Sequence, residues 1–172
     1  KWKSNFSVLS KKRFIEEETD AFRAQHSHSS FRLQLKRSNL FAWALFSPYR
    51  YRNFTVDADI RIDPANGHTA AGFLFRYINE ENYYYALISN RGFFRFDVVF
   101  NGNPNPLIPW LEVPLERESD TFKFRIIAHN NSFSFYLDDQ WIAEIDDESF
   151  DTGTLAFAGQ NYGERELADF AL

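Results

Sequence analysis

The 172-residue sequence contains no cysteine and no methionine. The first absence excludes disulfides, thiolate metal sites and cysteine nucleophiles. It fixes no compartment, because a well-packed domain of this length needs no cross-link. The second absence extends to position 1, which predicts a processed or excised piece of a longer protein. Positive charge is also short: 19 Lys and Arg stand against 24 Asp and Glu, a formal net charge of −5. Neither nucleic acid nor an acidic membrane surface is the expected partner, since both want a basic face. No apolar run approaches the roughly 20 residues that cross a bilayer, so no membrane insertion is expected. The opening KWKSNFSVLSKKRF lacks the apolar segment of a secretion signal. There is no fixed-period repeat, no Gly/Ser-rich or Pro-rich linker and no amphipathic helical pattern, so residues 1–172 read as one domain. A nucleophile-elbow motif is missing as well.

What the chain does have is rings: 20 Phe, 8 Tyr and 4 Trp, 19% of all residues. Aromatic and β-branched residues favour strands and bury large areas, enough to fill the core of a β-sandwich. Residues 69–100, TAAGFLFRYINEENYYYALISNRGFFRFDVVF, form the clearest unit. Polar turns at 79–82 and 90–92 divide it into a three-strand antiparallel meander. In its first strand Gly72, Leu74 and Arg76 share one face, and Phe73, Phe75 and Tyr77 the other.

Upstream, Phe31, Leu33 and Leu35 alternate with polar residues, and residues 39–46 make a continuous apolar run with Trp43 expected in the core. Ser47-Pro48-Tyr49 is expected to break that run. Residues 53–63 alternate most cleanly: Phe54, Val56, Ala58, Ile60 and Ile62 one way, Thr55, Asp57, Asp59, Arg61 and Asp63 the other. Downstream, residues 101–106 carry two prolines and read as a loop, and 107–113 as an edge strand. Strands follow at 121–129, 133–137, 141–145, 153–159 and 166–172. About a dozen short strands with frequent turn signals predict an all-β sandwich. Residues 1–30 are the least patterned; Phe6 and Val8 could begin an edge strand, and Glu16 to Glu18 read as a solvated face. His26 and His28 could share a metal only with a third ligand that is not evident nearby, and a polar turn over 25–30 is the competing reading. Asn-x-Ser/Thr triplets at Asn5, Asn53 and Asn130 carry no weight without an export signal.

From about Asn53 onward, the order of features resembles the concanavalin A-like lectin and glucanase jelly roll, with laminin G-like modules and the domain of 3-keto-disaccharide hydrolases nearest. The segments that carry the likeness are FTVDADIR from Phe54, AGFLFR from Ala71, NYYYALIS from Asn82 and RGFF from Arg91. The strand at 122–126, the hairpin at 131–138, GTLAF from Gly153 and ADF from Ala168 complete it. The resemblance implies a two-sheet antiparallel jelly-roll sandwich. It favours an extracellular or cell-envelope setting and allows a structural calcium, with Asp169 near the position that can contribute an oxygen. Its members range from hydrolases to lectins, so function must be argued from the site.

Two chemistries compete there. Asp57 and Asp59 lie on one strand face about 6.5–7 Å apart, a separation at which two carboxylates can act in glycoside hydrolysis. The likeness to the acidic strand of jelly-roll glucanases is faint, because that strand carries Glu. Alternatively, the outward positions Asp59, Arg76, Tyr85 and Arg95, with Trp110 on a proline-bracketed edge, combine carboxylates, guanidinium groups and rings. Such a set suits sugars: charged groups hydrogen-bond hydroxyls and rings cover apolar C–H faces. The expectation is a non-catalytic, carbohydrate-binding module of a larger protein using Asp59, Arg76, Tyr85, Arg95 and Trp110. The alternatives are a glycoside hydrolase using Asp57 and Asp59, and a structural or protein-interaction domain.

Overall fold

The alternating rings are converted into two antiparallel sheets packed face to face. The computed structural model describes residues 14–116, 119–163 and 167–172, with backbone alone at 47 and 48. The expected edge strand at Phe6 and Val8 and the Asn5 triplet lie outside the described residues. The strands are β1 (Glu17–Glu18), β2 (Phe22–Ser27), β3 (Ser30–Leu35), β4 (Phe41–Tyr51), β5 (Phe54–Ile62), β6 (Thr69–Asn79) and β7 (Asn82–Ser89). They continue as β8 (Phe93–Phe100), β9 (Asn103–Glu112), β10 (Thr121–His129), β11 (Ser132–Leu137), β12 (Gln140–Asp146), β13 (Gly153–Asn161) and β14 (Ala168–Ala171). One sheet has the order β1-β2-β3-β14-β5-β10-β11-β12, the other β4-β13-β6-β7-β8-β9. This is the expected all-β jelly-roll sandwich.

The core lies between the sheets, where the inward positions of each strand meet. Phe73, Phe75, Tyr84, Phe94 and Phe96 from the six-stranded sheet face Phe124, Phe133 and Phe135 from the eight-stranded one. Phe94 and Phe96 approach Phe135 at ring distances of 4.8 and 4.9 Å, and Phe75 lies 5.7 Å from Phe96. Each such ring contributes about 1.5–3 kcal/mol on burial, which is why a chain without disulfides can hold this fold.

Three local expectations are corrected. Residues 103–106 belong to a strand, because β9 is an edge: Val99 pairs with Pro104 and Asp97 with Pro106, and an edge tolerates prolines. β4 continues through positions 47–49 to Tyr51 rather than breaking there. His26 lies in β2 opposite Phe31, so the polar turn shrinks to His28 and Ser29.

Candidate functional site

The outer face of the six-stranded sheet carries a second apolar cluster, and its construction follows from residue size. The central strands β13 and β6 present Ala156, Ala158, Ala70 and Leu74 outward. The flanking strands β4 and β7 present Phe41, Trp43, Tyr83 and Tyr85. β4 and β7 are three strand spacings apart, about 14 Å. Yet Trp43 meets Tyr83 at 5.5 Å and Phe41 meets Tyr85 at 5.1 Å. The large side chains therefore lean inward over the small ones and bury them. The result is an aromatic floor, extended by Tyr77 at 6.1 Å from Trp43. Trp43, expected in the core, is a half-buried member of this floor instead.

Beside the floor sits a polar knot. Arg95 donates from Nε to Asp97 Oδ1 at 2.6 Å and from Nη2 to Asp97 Oδ2. The Tyr85 hydroxyl donates to the same Oδ2 at 2.9 Å. Asp97 is completely buried, whereas 24% of the Arg95 side chain is exposed. The carboxylate hydrogen bond raises the Arg95 pKa further, so this cation is permanent. Burial, and then the Asp97 charge, lift the Tyr85 phenol far above the usual tyrosine range. The Arg95 guanidinium lies 5.6 Å from the Trp110 ring and 5.9 Å from that of Tyr85. Trp110, 37% exposed, stands edge-on to Tyr162 at 6.0 Å, and Tyr162 stacks on His68 at 4.5 Å. Rings and one guanidinium thus follow one another from Tyr77 to His68 without a gap.

Three of the five residues expected to bind ligand, Tyr85, Arg95 and Trp110, come together here. Tyr85 is on the expected face but nearly covered by its neighbours. The other two go elsewhere. Arg76, expected outward, is only 1% exposed. β6 is irregular against both neighbours here, with register shifts between Phe75 and Asn79 and, across β13, between Thr154 and Ala156. Arg76 itself adopts a positive φ of +47° and turns away from the outer face. Its guanidinium donates to the carbonyls of Phe150, Arg52 and Asn130 and lies over the Phe133 ring at 4.8 Å. Burial lowers its pKa. Arg76 is a structural clamp, not a ligand-binding group.

Asp59 and Asp57 are exposed on the outer face of the other sheet, across the core from the aromatic floor. Asp57 Oδ2 accepts from both Nε and Nη2 of Arg125, at 2.9 and 2.7 Å, so it is already committed to a cation. Asp169 is bound by Arg32 at 2.6 Å, and its backbone oxygen accepts from Asn66. Among the described residues no three potential metal ligands cluster. A surface depression of about 1050 Å³, lined by Asp63, Asn90, Leu115 and Asp120 among others, shares no residue with the aromatic floor.

The floor makes stability sensitive to alkali. Burial, with Tyr77 beside it, pushes the Tyr83 pKa up to about 12. An unfolded tyrosine ionises near pH 10, so between about pH 10 and 12 the unfolded chain releases the proton that the folded chain keeps. Stability is therefore present below pH 10 and is lost as pH rises toward 12. Denaturant melts across that range are expected to show a falling midpoint, and Tyr83→Phe a shallower fall.

No known family model matches the sequence. A TPR repeat-containing protein of Treponema pallidum (strain Nichols) is 28% identical over 221 residues, an alignment taking in 99% of this chain and 27% of that protein. The chain thus spans about a quarter of the length of the curated relative it matches. Among solved structures, the carbohydrate-binding module CBM66 from Bacillus subtilis aligns with a TM-score of 0.66 and 21% identity, over 81% of this chain and 82% of its own. The Bacillus licheniformis β-glucanase aligns with a TM-score of 0.65 and 11% identity, over 97% and 92%. The fold is that of the concanavalin A-like lectins and glucanases.

Proposed function

We propose that this chain is a non-catalytic carbohydrate-recognition module of a larger protein, holding sugar on the aromatic floor of the six-stranded sheet. The observation that carries the reading is the meeting of rings from β4 and β7 above the small residues of β13 and β6, continued through Arg95 to Trp110 and Tyr162. Such a surface offers ring faces to the C–H faces of a pyranose or furanose. Arg95 then supplies N–H donors to hydroxyls. Because Asp97 balances Arg95, the site is close to neutral, which suits uncharged sugars better than uronates or sulfates. The likeness to a module named as carbohydrate-binding supports the class of ligand. The hydrolase alternative gains no support from the geometry, since Asp57 is bound by Arg125 and lies across the core from the floor.

The test is a broad glycan array probed with the labelled domain, with and without calcium. A reproducible neutral-glycan hit is expected, and Trp110→Ala should weaken it by about tenfold or more, the effect of losing one well-placed aromatic anchor. Dependence of the hit on calcium would assign the structural ion that the fold allows. A blank array under both conditions would overturn the reading and favour a protein partner.

A further inference from the structure

The outer face of the eight-stranded sheet carries a second row of ring and charge, and a β-bulge builds it. Strand alternation would place Trp141 on the same side as Ala143 and Ile145, facing the core. The register shifts between Phe135 and Tyr136: Phe135 pairs with Ala143, but Tyr136 pairs with Trp141. The extra residue, Ile142, turns Trp141 to the outer face beside Tyr136, where it is 61% exposed, the most exposed Phe, Tyr or Trp among the described residues. Bulges re-aim side chains in this way next to working sites.

Register continues the row across four strands. Trp141 on β12 pairs with Tyr136, Tyr136 with Arg125 on β10, and Arg125 with Asp57 on β5. The Arg125 guanidinium lies 5.9 Å from the Tyr136 ring and donates to Asp57 at 2.7 Å and Asp139 at 2.7 Å. Lys123, one pair along, donates to Asp139 at 3.1 Å. Next to it a depression of about 260 Å³ is lined by Asp59, Thr121, Phe122, Lys123, Asp138 and Asp139. Asp59, assigned from sequence to a ligand site, is therefore a neighbour of this row and not of the aromatic floor.

We infer that this row is a second recognition site for a neutral oligosaccharide, with Trp141 as the stacking platform and Arg125, Asp139 and Asp59 as hydroxyl partners. Asp57, Asp59, Asp138 and Asp139 outnumber Lys123 and Arg125, so a polyanion is repelled, while carboxylate oxygens accept from sugar hydroxyls. The row spans three strand spacings, about 14 Å, long enough to follow a chain and not only its end. It shares no residue with the floor, so the two faces bind independently and the domain can bridge two glycan chains.

The indole N–H signals of a ¹⁵N-labelled domain separate the two sites in one spectrum, once assigned with single Trp→Phe variants. The probes are neutral gluco-, fructo-, xylo- and galacto-oligosaccharides at millimolar concentration. The expected result is a sugar that shifts the Trp141 indole, in wild type and equally in Trp110→Ala. Trp141→Ala should lose one of two binding events and leave the Trp110 response and the melting temperature unchanged. If no sugar in the panel moves the Trp141 indole, the second site is overturned, whatever Trp43 and Trp110 do. If Trp141 responds while Trp43 and Trp110 stay silent, the floor fails and this site stands.

Discussion

Replacing Arg76 with alanine is expected to lower the unfolding free energy by about 3–5 kcal/mol, because it leaves one buried and two part-buried carbonyls without this donor, at up to about 1–3 kcal/mol each. The side chain ties three segments to β6: Phe150 before β13, Arg52 between β4 and β5, and Asn130 in the β10–β11 turn. Against a total stability of roughly 5–15 kcal/mol, that loss consumes much of the margin. The melting temperature should fall on the order of 10 °C. Arg76→Met is the sharper variant, since it keeps an unbranched apolar stem and removes the guanidinium, with its donors and its place over the Phe133 ring. A methionine variant as stable as wild type would show that the three carbonyls do not depend on the guanidinium. Whatever fraction of either variant stays folded should bind glycan normally, because the Arg76 guanidinium is engaged with Phe150, Arg52, Asn130 and Phe133, away from the floor.

Arg76 also shows where strand alternation stops being readable. Asp57, Asp59 and Ile60 could be assigned to faces from sequence because β5 pairs with β10 without interruption. Tyr85 and Arg95 could be placed on one face for the same reason: β7 and β8 keep register from Tyr83 to Ser89. Irregular pairing at Arg76 and a bulge at Trp141 each reverse a face, and neither has a polar or apolar signature of its own. The one trace is Gly153, where a Cβ would lie 2.2 Å from the Arg76 carbonyl carbon, so the close approach demands glycine there. Trp43 was illegible for a different reason. The run NLFAWALF is apolar throughout, so hydrophobicity cannot tell its two faces apart. Size can: Phe41, Trp43 and Leu45 alternate with Ala42 and Ala44, and Trp43 and Leu45 pair with Ala158 and Ala156 of β13. Of the prolines in β9, Pro109 reads as an edge but Pro104 and Pro106 read as a loop, because sequence does not show which side of a strand is unpaired.

Removing Arg95 alone is expected to abolish glycan binding at the aromatic floor and to destabilise the fold as well, which would leave recognition and stability confounded. Asp97 is fully buried, and a buried charge stripped of its partner costs about 3–5 kcal/mol. The two effects separate when the whole knot is replaced by apolar groups of similar volume: Arg95→Met with Asp97→Leu, and Tyr85→Phe so that no phenol loses its acceptor. A buried ion pair exchanged for well-packed apolar residues is commonly neutral or stabilising, so this triple variant should melt within a few degrees of wild type. Its floor would keep every ring. What it loses is the charged hydrogen-bonding group placed between Tyr85 and Trp110. Binding at the floor to the glycan that wild type selects should therefore fall at least a hundredfold, about 2.7 kcal/mol, the scale expected when sugar hydroxyls lose charged partners. Calorimetric titration of the triple variant beside its thermal melt gives both quantities. Retained affinity in a fully folded triple variant would mean that the rings alone hold the sugar. Arg95 and Asp97 would then be a buried ion pair that fixes the position of Trp110 and nothing more.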